Sequence, residues 1–405
     1  MQEIIDQNRF EKLAGKYRRE LLEDCVPFWL EHSLDREYGG YITHLKRDGS
    51  PYGTAKLVWT QGRASYMFAK LCNTVEKREE WLEASKHGLD FLNEHAFAHD
   101  SRAYYKVMRD GTPLYSRPHQ IFAESFAVLA YAEYAKAAGR EEYLASAKRL
   151  FWEIVERVQN GSLESESSGV AYNPYQAHAT PMILTNTAQE LREVEPDPRY
   201  DELIANWVHD ELYLYAKDEH KAMFERIRKD GTVDTELPEG RQITPGHALE
   251  SAWFCLHEGL YKNDRVIIDR SCEIMKWAME KGWDDVYGGL YNYIDLFERA
   301  ACHHDEDWGE DQDWDEKIFW IHVEGLYALL AGYVATGDEE LLEWYRKLHY
   351  WTFKHFPDSE YGEWFGYLRR DGSVSHTHKG GMKGFFHLPR ALLNCMLLLE
   401  KGIEQ

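Results

Sequence analysis

The sequence predicts an all-α (α/α)6 barrel, a twelve-helix double toroid with short β-hairpins in its loops. Three observations predict it. A hairpin-like motif recurs at near-regular spacing, room for two helices separates consecutive copies, and those helices alternate between amphipathic and almost wholly apolar.

The motif is an acidic turn, an aromatic or Gly-Gly pair, a short alternating run and an Asp-Gly turn, which reads as a β-hairpin. It occurs at 35–50 (DREYGGYITHLKRDGS), 100–112 (DSRAYYKVMRDGT), 218–232 (DEHKAMFERIRKDGT), 284–298 (DDVYGGLYNYIDLFE) and 358–373 (DSEYGEWFGYLRRDGS). The leading aspartates are 65, 118, 66 and 74 residues apart. The long interval is close to two units, and 160–173 (NGSLESESSGVAYN) sits where the missing copy belongs.

Between the hairpins, the 3.6-residue periodicity predicts helices at 10–32, 58–75, 78–96, 121–139, 141–159, 181–194, 198–217, 246–261, 264–282, 317–336, 338–356 and 383–401. Gly139, Gly282 and Gly337 fall where C-terminal caps belong. The odd-numbered helices are charged on one face, as in EEWLEASKHGLDFLNEH, so they are wet on that side. The even-numbered ones, such as HALESAWFCLHEGLY and FFHLPRALLNCMLLL, are apolar nearly all round and belong inside. No Pro-, Gly- or Ser-rich linker divides the chain, so residues 1–405 are expected to form one domain.

The 405 residues are 44% hydrophobic and 14% aromatic, ample for a large core. Lys and Arg number 47 against 70 Asp and Glu, a formal charge of −23. Such a chain repels phosphate backbones and anionic lipid, which argues against nucleic-acid or membrane-surface partners. The six cysteines are scattered with no CxxC pair, the opening MQEIIDQNRFEKLAGKYRREL is too polar for a signal peptide, and no run approaches a membrane span. The expectation is a reducing, cytoplasmic compartment.

Each even helix follows a hairpin, so all six should begin at one mouth of the barrel. Polar residues collect there: Trp59, Gln61 and Arg63 on helix 2, Glu124 on helix 4, Asn186 on helix 6, and His247 with Glu250 on helix 8. Helix 10 adds Trp320, His322 and Glu324, and helix 12 opens with Lys383 and His387. One buried histidine is ordinarily a satisfied core residue. Two histidines, an arginine and several carboxylates at equivalent places in different repeats are harder to explain by packing. Opposed imidazoles suit proton removal from one face of a carbon and delivery to the other, with Arg63 stabilising an enediolate-like charge. The i, i+3 spacing puts Glu250 on the same helix face as His247, where it is expected to hold the imidazole tautomer.

Metal chemistry would call for HExxH or clustered cysteines, and neither occurs. The acidic run His303–Asp313 reads as a solvated loop, and Gly380–Gly384 lacks P-loop spacing. A glycoside hydrolase remains a rival, with Glu124, Glu250 and Glu324 as candidate carboxylates.

Several stretches carry a family resemblance: Phe28–Ser33 (FWLEHS), Leu57–Arg63 (LVWTQGR), Arg241–Glu250 (RQITPGHALE), Asp358–Leu368 (DSEYGEWFGYL) and Lys379–Arg390 (KGGMKGFFHLPR). Collinear from about residue 10 to 400, they resemble the N-acylglucosamine 2-epimerase family. The resemblance implies interconversion of N-acetylglucosamine and N-acetylmannosamine, without metal or redox cofactor, by homodimers, with ATP as a non-consumed activator. It implies that His247 and His387 are the acid/base pair, that Arg63, Glu250 and Glu324 support them, and that Trp320 and Lys383 line the pocket. Asn186, where cellobiose 2-epimerases carry a histidine, and Met382, where they carry a tryptophan, point to the aminosugar branch. GGMKG is one residue shorter than the GGPFKG form of the animal enzymes. Mannose 2-epimerases and mannose isomerases share the scaffold and are the alternative.

Overall fold

The computed structural model describes residues 7–116, 120–161, 174–297, 314–375 and 378–403. Twelve long helices lie among them. Helix α1 covers residues 7–32, with Gln7–Arg19 and Val26–His32 joined by a π-helical turn, Glu20–Cys25. There follow α2 (Val58–Thr74), α3 (Glu79–His95), α4 (Phe122–Ala138), α5 (Glu141–Gln159) and α6 (Ala179–Val194). Helix α7 covers residues 198–215, Pro198–His209 continued by the π turn Asp210–Tyr215. The ring is completed by α8 (Pro245–Lys262), α9 (Arg265–Gly282), α10 (Phe319–Thr336), α11 (Glu339–His355) and α12 (His387–Ile403).

The even helices pack side by side as an inner ring and each carries an odd helix on its outside, α1 closing the circle against α12. Composition decides the layer. Helix α10 buries every residue from Ile321 to Gly332, whereas α5 buries only Ala147, Leu150, Phe151, Ile154 and Val155, one stripe at helical spacing. One continuous hydrophobic core runs from Ala14 to Leu399.

Short antiparallel ladders stitch the rim. Residues just before an inner helix pair with the hairpin of the next repeat: Lys56–Leu57 with Lys106–Val107, Tyr175–Ala177 with Arg226–Arg228, Gln242–Ile243 with Ile294–Asp295, and Lys317–Ile318 with Tyr367–Leu368. The bridge between Lys46 and His378 closes the ring from first hairpin to last. Ion pairs repeat the same linkage. Asp35 accepts from Arg109 and Lys56, Asp284 from Arg370 and Lys317, and Asp358 from Arg47 and Lys379. Burial opposes the charge on each aspartate, yet these cations hold all three below the usual carboxylate range. Under three of the Asp-Gly turns lies the histidine that ends the preceding outer helix. A Cβ on Gly49, Gly111 or Gly372 would fall 2.2–2.4 Å from His32, His95 or His355, so only glycine fits there.

The structure departs from sequence expectation at the start of α12 and at Gly282. Helix α12 begins at His387 rather than 383, because Gly380 and Gly384 take positive φ of 93° and 56° and keep the chain in a turn. Lys383 therefore lies before the helix. Gly139 and Gly337 are left-handed caps as expected, but Gly282 is the last residue of α9, where a Cβ would meet Pro245 at 2.7 Å. Trp283 takes the cap position of α9 in extended conformation, and Asn263, at φ 53°, is the left-handed cap of α8. The hairpin expected at 160–173 and the acidic run 303–313 lie outside the described residues, apart from Asn160 and Gly161. No helix among the described residues is long and apolar enough to cross a membrane.

Candidate active site

His247 enters on the first turn of α8, after Pro245 and Gly246, and His387 is the first residue of α12. The indole of Trp320, on the first turn of α10, faces both. Its ring centre is 5.0 Å from the His247 ring and 5.4 Å from the His387 ring, at interplanar angles of 39° and 37°. A Cβ on Gly246 would fall 2.6 Å from that indole, so the glycine admits it. The two imidazoles therefore pack against one indole.

Each imidazole is tied through Nδ1 to a carboxylate. His247 Nδ1 is 2.8 Å from Glu225 Oε2, and His387 Nδ1 is 2.7 Å from Glu324 Oε1. An ionised carboxylate only accepts, so Nδ1 carries hydrogen in both rings and Nε2 is not spent on these carboxylates. Their surroundings drive the two rings apart. Burial and the charges of Arg63 and Arg390 push His387 well below 6.5, leaving it neutral with a lone pair on Nε2. His247 is also penalised by burial, but Glu225, with its hydrogen bond, and Glu250 prevail and raise its pKa. Against its own burial, Glu225 is brought down to about 2 by His247 and His178. Their ion pair thus adds stability between the range where Glu225 ionises and the raised midpoint of His247. It fades as pH rises through the latter or falls through the former.

Arg390, one turn into α12, joins the rest. Its Nη2 donates to Glu250 Oε1 and, at 2.6 Å, to Glu324 Oε1, and lies 3.5 Å from His387 Nδ1. Trp253 Nε1 donates to Glu324 Oε2 at 2.9 Å. Glu250, Glu324 and His387 bring ligand-type atoms within 4.8 Å of one another, and the Arg390 guanidinium contacts all three. Arg63 stacks among the rings of Trp59, Phe126 and Phe386, 4.2, 4.2 and 4.6 Å from their centres, with its buried Nε unpaired. Three carboxylates (Glu225, Glu250, Glu324) against two guanidiniums leave one negative charge. The raised pKa of His247 biases that ring toward the cation that would balance it.

The other expected residues distribute differently. Trp59 presents a buried, unpaired Nε1, and Asn186 on α6 is buried with no hydrogen-bond partner among the described residues. Gln61 and Glu124 spend their polar atoms on the scaffold. Gln61 accepts from the Tyr41 N–H and donates to its carbonyl, while Glu124 accepts from the Ala103 N–H and from Arg157. His322 likewise accepts from the Leu290 N–H. Tyr41, Ala103 and Leu290 hold the same place in three hairpins, so these inner-helix side chains fasten the rim. Lys383 is committed to the last hairpin, donating to the Glu363 carboxylate and the Trp364 carbonyl. Glu250 does not bond His247; it pairs with Arg390, and Glu225 takes the tautomer-fixing role.

Residues 40–391 match the N-acylglucosamine 2-epimerase (GlcNAc 2-epimerase) family. This chain belongs to that family. N-acylglucosamine 2-epimerase from Rattus norvegicus is 35% identical over 401 residues, spanning 95% of this chain and 91% of that protein. Cellobiose 2-epimerase from Bacteroides fragilis is 23% identical, spanning 94% of this chain and 96% of that protein. Among solved structures, cellobiose 2-epimerase from Bacillus thermoamylovorans shares the fold at a TM-score of 0.78 and 21% identity, over 96% of this chain and 99% of that one.

For a member of the N-acylglucosamine 2-epimerase family, two residues of this site escaped sequence reasoning. Glu225 sits inside the hairpin run MFERIRKDGT, at the place held by Thr43, Tyr105 and Gly366 in other copies. Its signal was a lone carboxylate in an otherwise cationic strand. Arg390 was visible as the one charge in the apolar stretch FFHLPRALLNCMLLL. Changing Glu225 to glutamine should let burial prevail at His247 and lower its midpoint. Following the ring Hε1 resonance by NMR across pH checks this; an unmoved midpoint would clear Glu225 of the role.

Proposed function

We propose that the protein interconverts N-acetylglucosamine and N-acetylmannosamine by moving a proton at C2 of the open-chain sugar between two imidazoles. One observation carries the proposal: two imidazoles packed against the one indole of Trp320, each tied through Nδ1 to a carboxylate, one ring neutral and the other biased toward its cation. Only the aldehyde form has an acidic C2–H, so the ring opens first. His387 Nε2 then takes the C2 proton from one face. The enolate oxygen that results draws on Arg63, a buried guanidinium with no carboxylate partner among the described residues. His247 delivers its Nε2 proton to the opposite face, and the reverse reaction exchanges the two roles. The relatives named N-acylglucosamine 2-epimerase support the choice of an N-acylated substrate.

Glycoside hydrolysis needs two carboxylates on opposite sides of the scissile bond. Glu250 and Glu324 are instead gathered on one side by a single nitrogen of Arg390.

Incubating the protein with N-acetylmannosamine in D2O, with N-acetylglucosamine, mannose and cellobiose in parallel, tests the proposal by NMR. The expected product is N-acetylglucosamine bearing deuterium at C2, formed without added metal. Faster conversion of mannose or cellobiose would overturn the substrate assignment, and product retaining only protium at C2 would overturn the exchange of protons between two bases.

A further inference from the structure

Three inner helices fasten a hairpin in one way, and the last inner helix does it in another. Gln61 Oε1 accepts from the Tyr41 N–H at 2.6 Å, and Gln61 Nε2 donates to the Tyr41 carbonyl at 3.0 Å. Glu124 accepts from the Ala103 N–H at 3.1 Å and His322 from the Leu290 N–H at 2.9 Å. Each fastener sits in the first turn of its helix, α2, α4 or α10. Trp364 holds the equivalent place in the last hairpin. Like Tyr41, Ala103 and Leu290, it bridges back to the start of its own turn, here at Pro357. The approach to α12 brings Phe385 and Phe386, which have no polar side-chain atom to offer it, and Phe385 stacks on Phe68 at 4.5 Å.

Two side chains outside the helix take over the task. Glu363 Oε2 accepts from the N–H of Trp364, its own neighbour, at 2.8 Å, and Lys383 Nζ donates to the Trp364 carbonyl. The two also bond each other, and both side chains are fully buried. Glu363 Oε1 accepts from Trp29 Nε1 at 3.3 Å, so the pair reaches α1 as well.

Glu363 holds an uncommon backbone conformation to do this. Its φ is 55°, and its carbonyl accepts from the Asp358 N–H at 3.1 Å. In the hairpins at 35–50 and 284–298 the same bond to the leading aspartate is made by Gly40, at φ 66°, and Gly289, at φ 74°. Left-handed backbone suits glycine, and a glutamate kept there is strained. Both oxygens of Asp24 secure its N–H, at 2.8 and 2.9 Å. A buried, strained carboxylate where two sister repeats carry glycine calls for a role particular to this repeat. What is particular here is the chain that follows: Lys383 stands four residues before His387.

We propose that Glu363 and Lys383 are positioning residues for the reaction, a buried pair that ties the Gly380–Gly384 turn to the last hairpin and so sets His387 against Glu324 and Trp320. In α2 and α10 the fastener lies within the helix, two residues before Arg63 or Glu324. Moving the anchor ahead of the helix lets α12 start on His387 itself, with Gly384, at φ 56°, as the joint between anchor and helix. The consequence for turnover rests on His387 as the proton acceptor proposed above. The placement of its ring can be read without turnover.

The test uses Lys383→Met, alone and combined with Glu363→Gln, in the whole protein. Alone, it strands a buried carboxylate and should melt below the parent. The double variant strands no charge, keeps an acceptor for the Trp364 N–H, and should melt close to the parent. Both should lower kcat toward the about 10²-fold that a misplacement of roughly 1 Å can cost, with KM little changed. In spectra of ¹⁵N-histidine-labelled protein, the His387 Nδ1–H signal should move in both variants while that of His247, on α8, stays. A double variant that regains parental kcat along with its stability reduces the pair to a strut and overturns the proposal, as does an unmoved His387 signal. Should Lys383→Met alone fail to fold, the double variant decides. A His387 signal that responds in a protein without epimerase activity would leave the placement standing and remove the proposed reaction instead.

Discussion

Replacing His387 by alanine is expected to lower kcat by at least about 10²-fold, the range for loss of a general acid–base group. His387 is held neutral by burial and by Arg63 and Arg390, so the substitution removes the ring that is ready to accept a proton. The cavity should survive, because Glu324 keeps its bonds to Arg390 and Trp253. The loss should therefore fall on kcat, with KM and the thermal midpoint little changed. Initial rates of sugar conversion and of deuterium entry at C2 should fall together, since both require the same C–H bond to break. Near-normal turnover in the variant would take His387 out of the reaction.

Replacing Arg390 by leucine is expected to destabilise the fold by about 3–5 kcal/mol, the usual cost of stripping the partner from a buried charge. The Arg390 side chain is 5% exposed, and Glu250 and Glu324, which it bridges, are 7% and 1% exposed. Without the guanidinium, two carboxylates face each other in a dry layer. Urea denaturation reads the loss, and Glu250→Gln in the same chain should recover part of it, because the two changes remove one shared interaction. If Arg390→Leu unfolds at the same urea concentration as the parent, the bridge contributes nothing to stability.

The ring of helices was legible because two signals reinforce each other. The Asp-Gly hairpins mark the period, and the contrast between a helix such as α5 and one such as α10 tells outside from inside. What escaped was local. The start of α12 was misplaced because Lys383-Gly-Phe-Phe continues the apolar pattern while Gly384 breaks the backbone. Site residues on inner helices could be found from their shared place in the repeat. That same rule pulled in Gln61 and Glu124, whose polar atoms face the rim, since period alone cannot say toward which side a side chain turns. Glu225 was hidden by the opposite limit. It reaches His247 from a different part of the chain, 22 residues away, and no pattern within one helix reports such a partner.

The circle closes where α12 meets α1 and Lys46 bridges to His378. As the chain leaves the ribosome, the final arc of the circle therefore delivers both the proton acceptor and the guanidinium that neutralises its neighbours. Until that arc docks, Glu250 and Glu324 have no cation between them, and a truncated intermediate would hold an open ring with uncompensated acid inside. Closing so distant a contact is entropically slow, so catalysis and completion of the fold should arrive in a single late step.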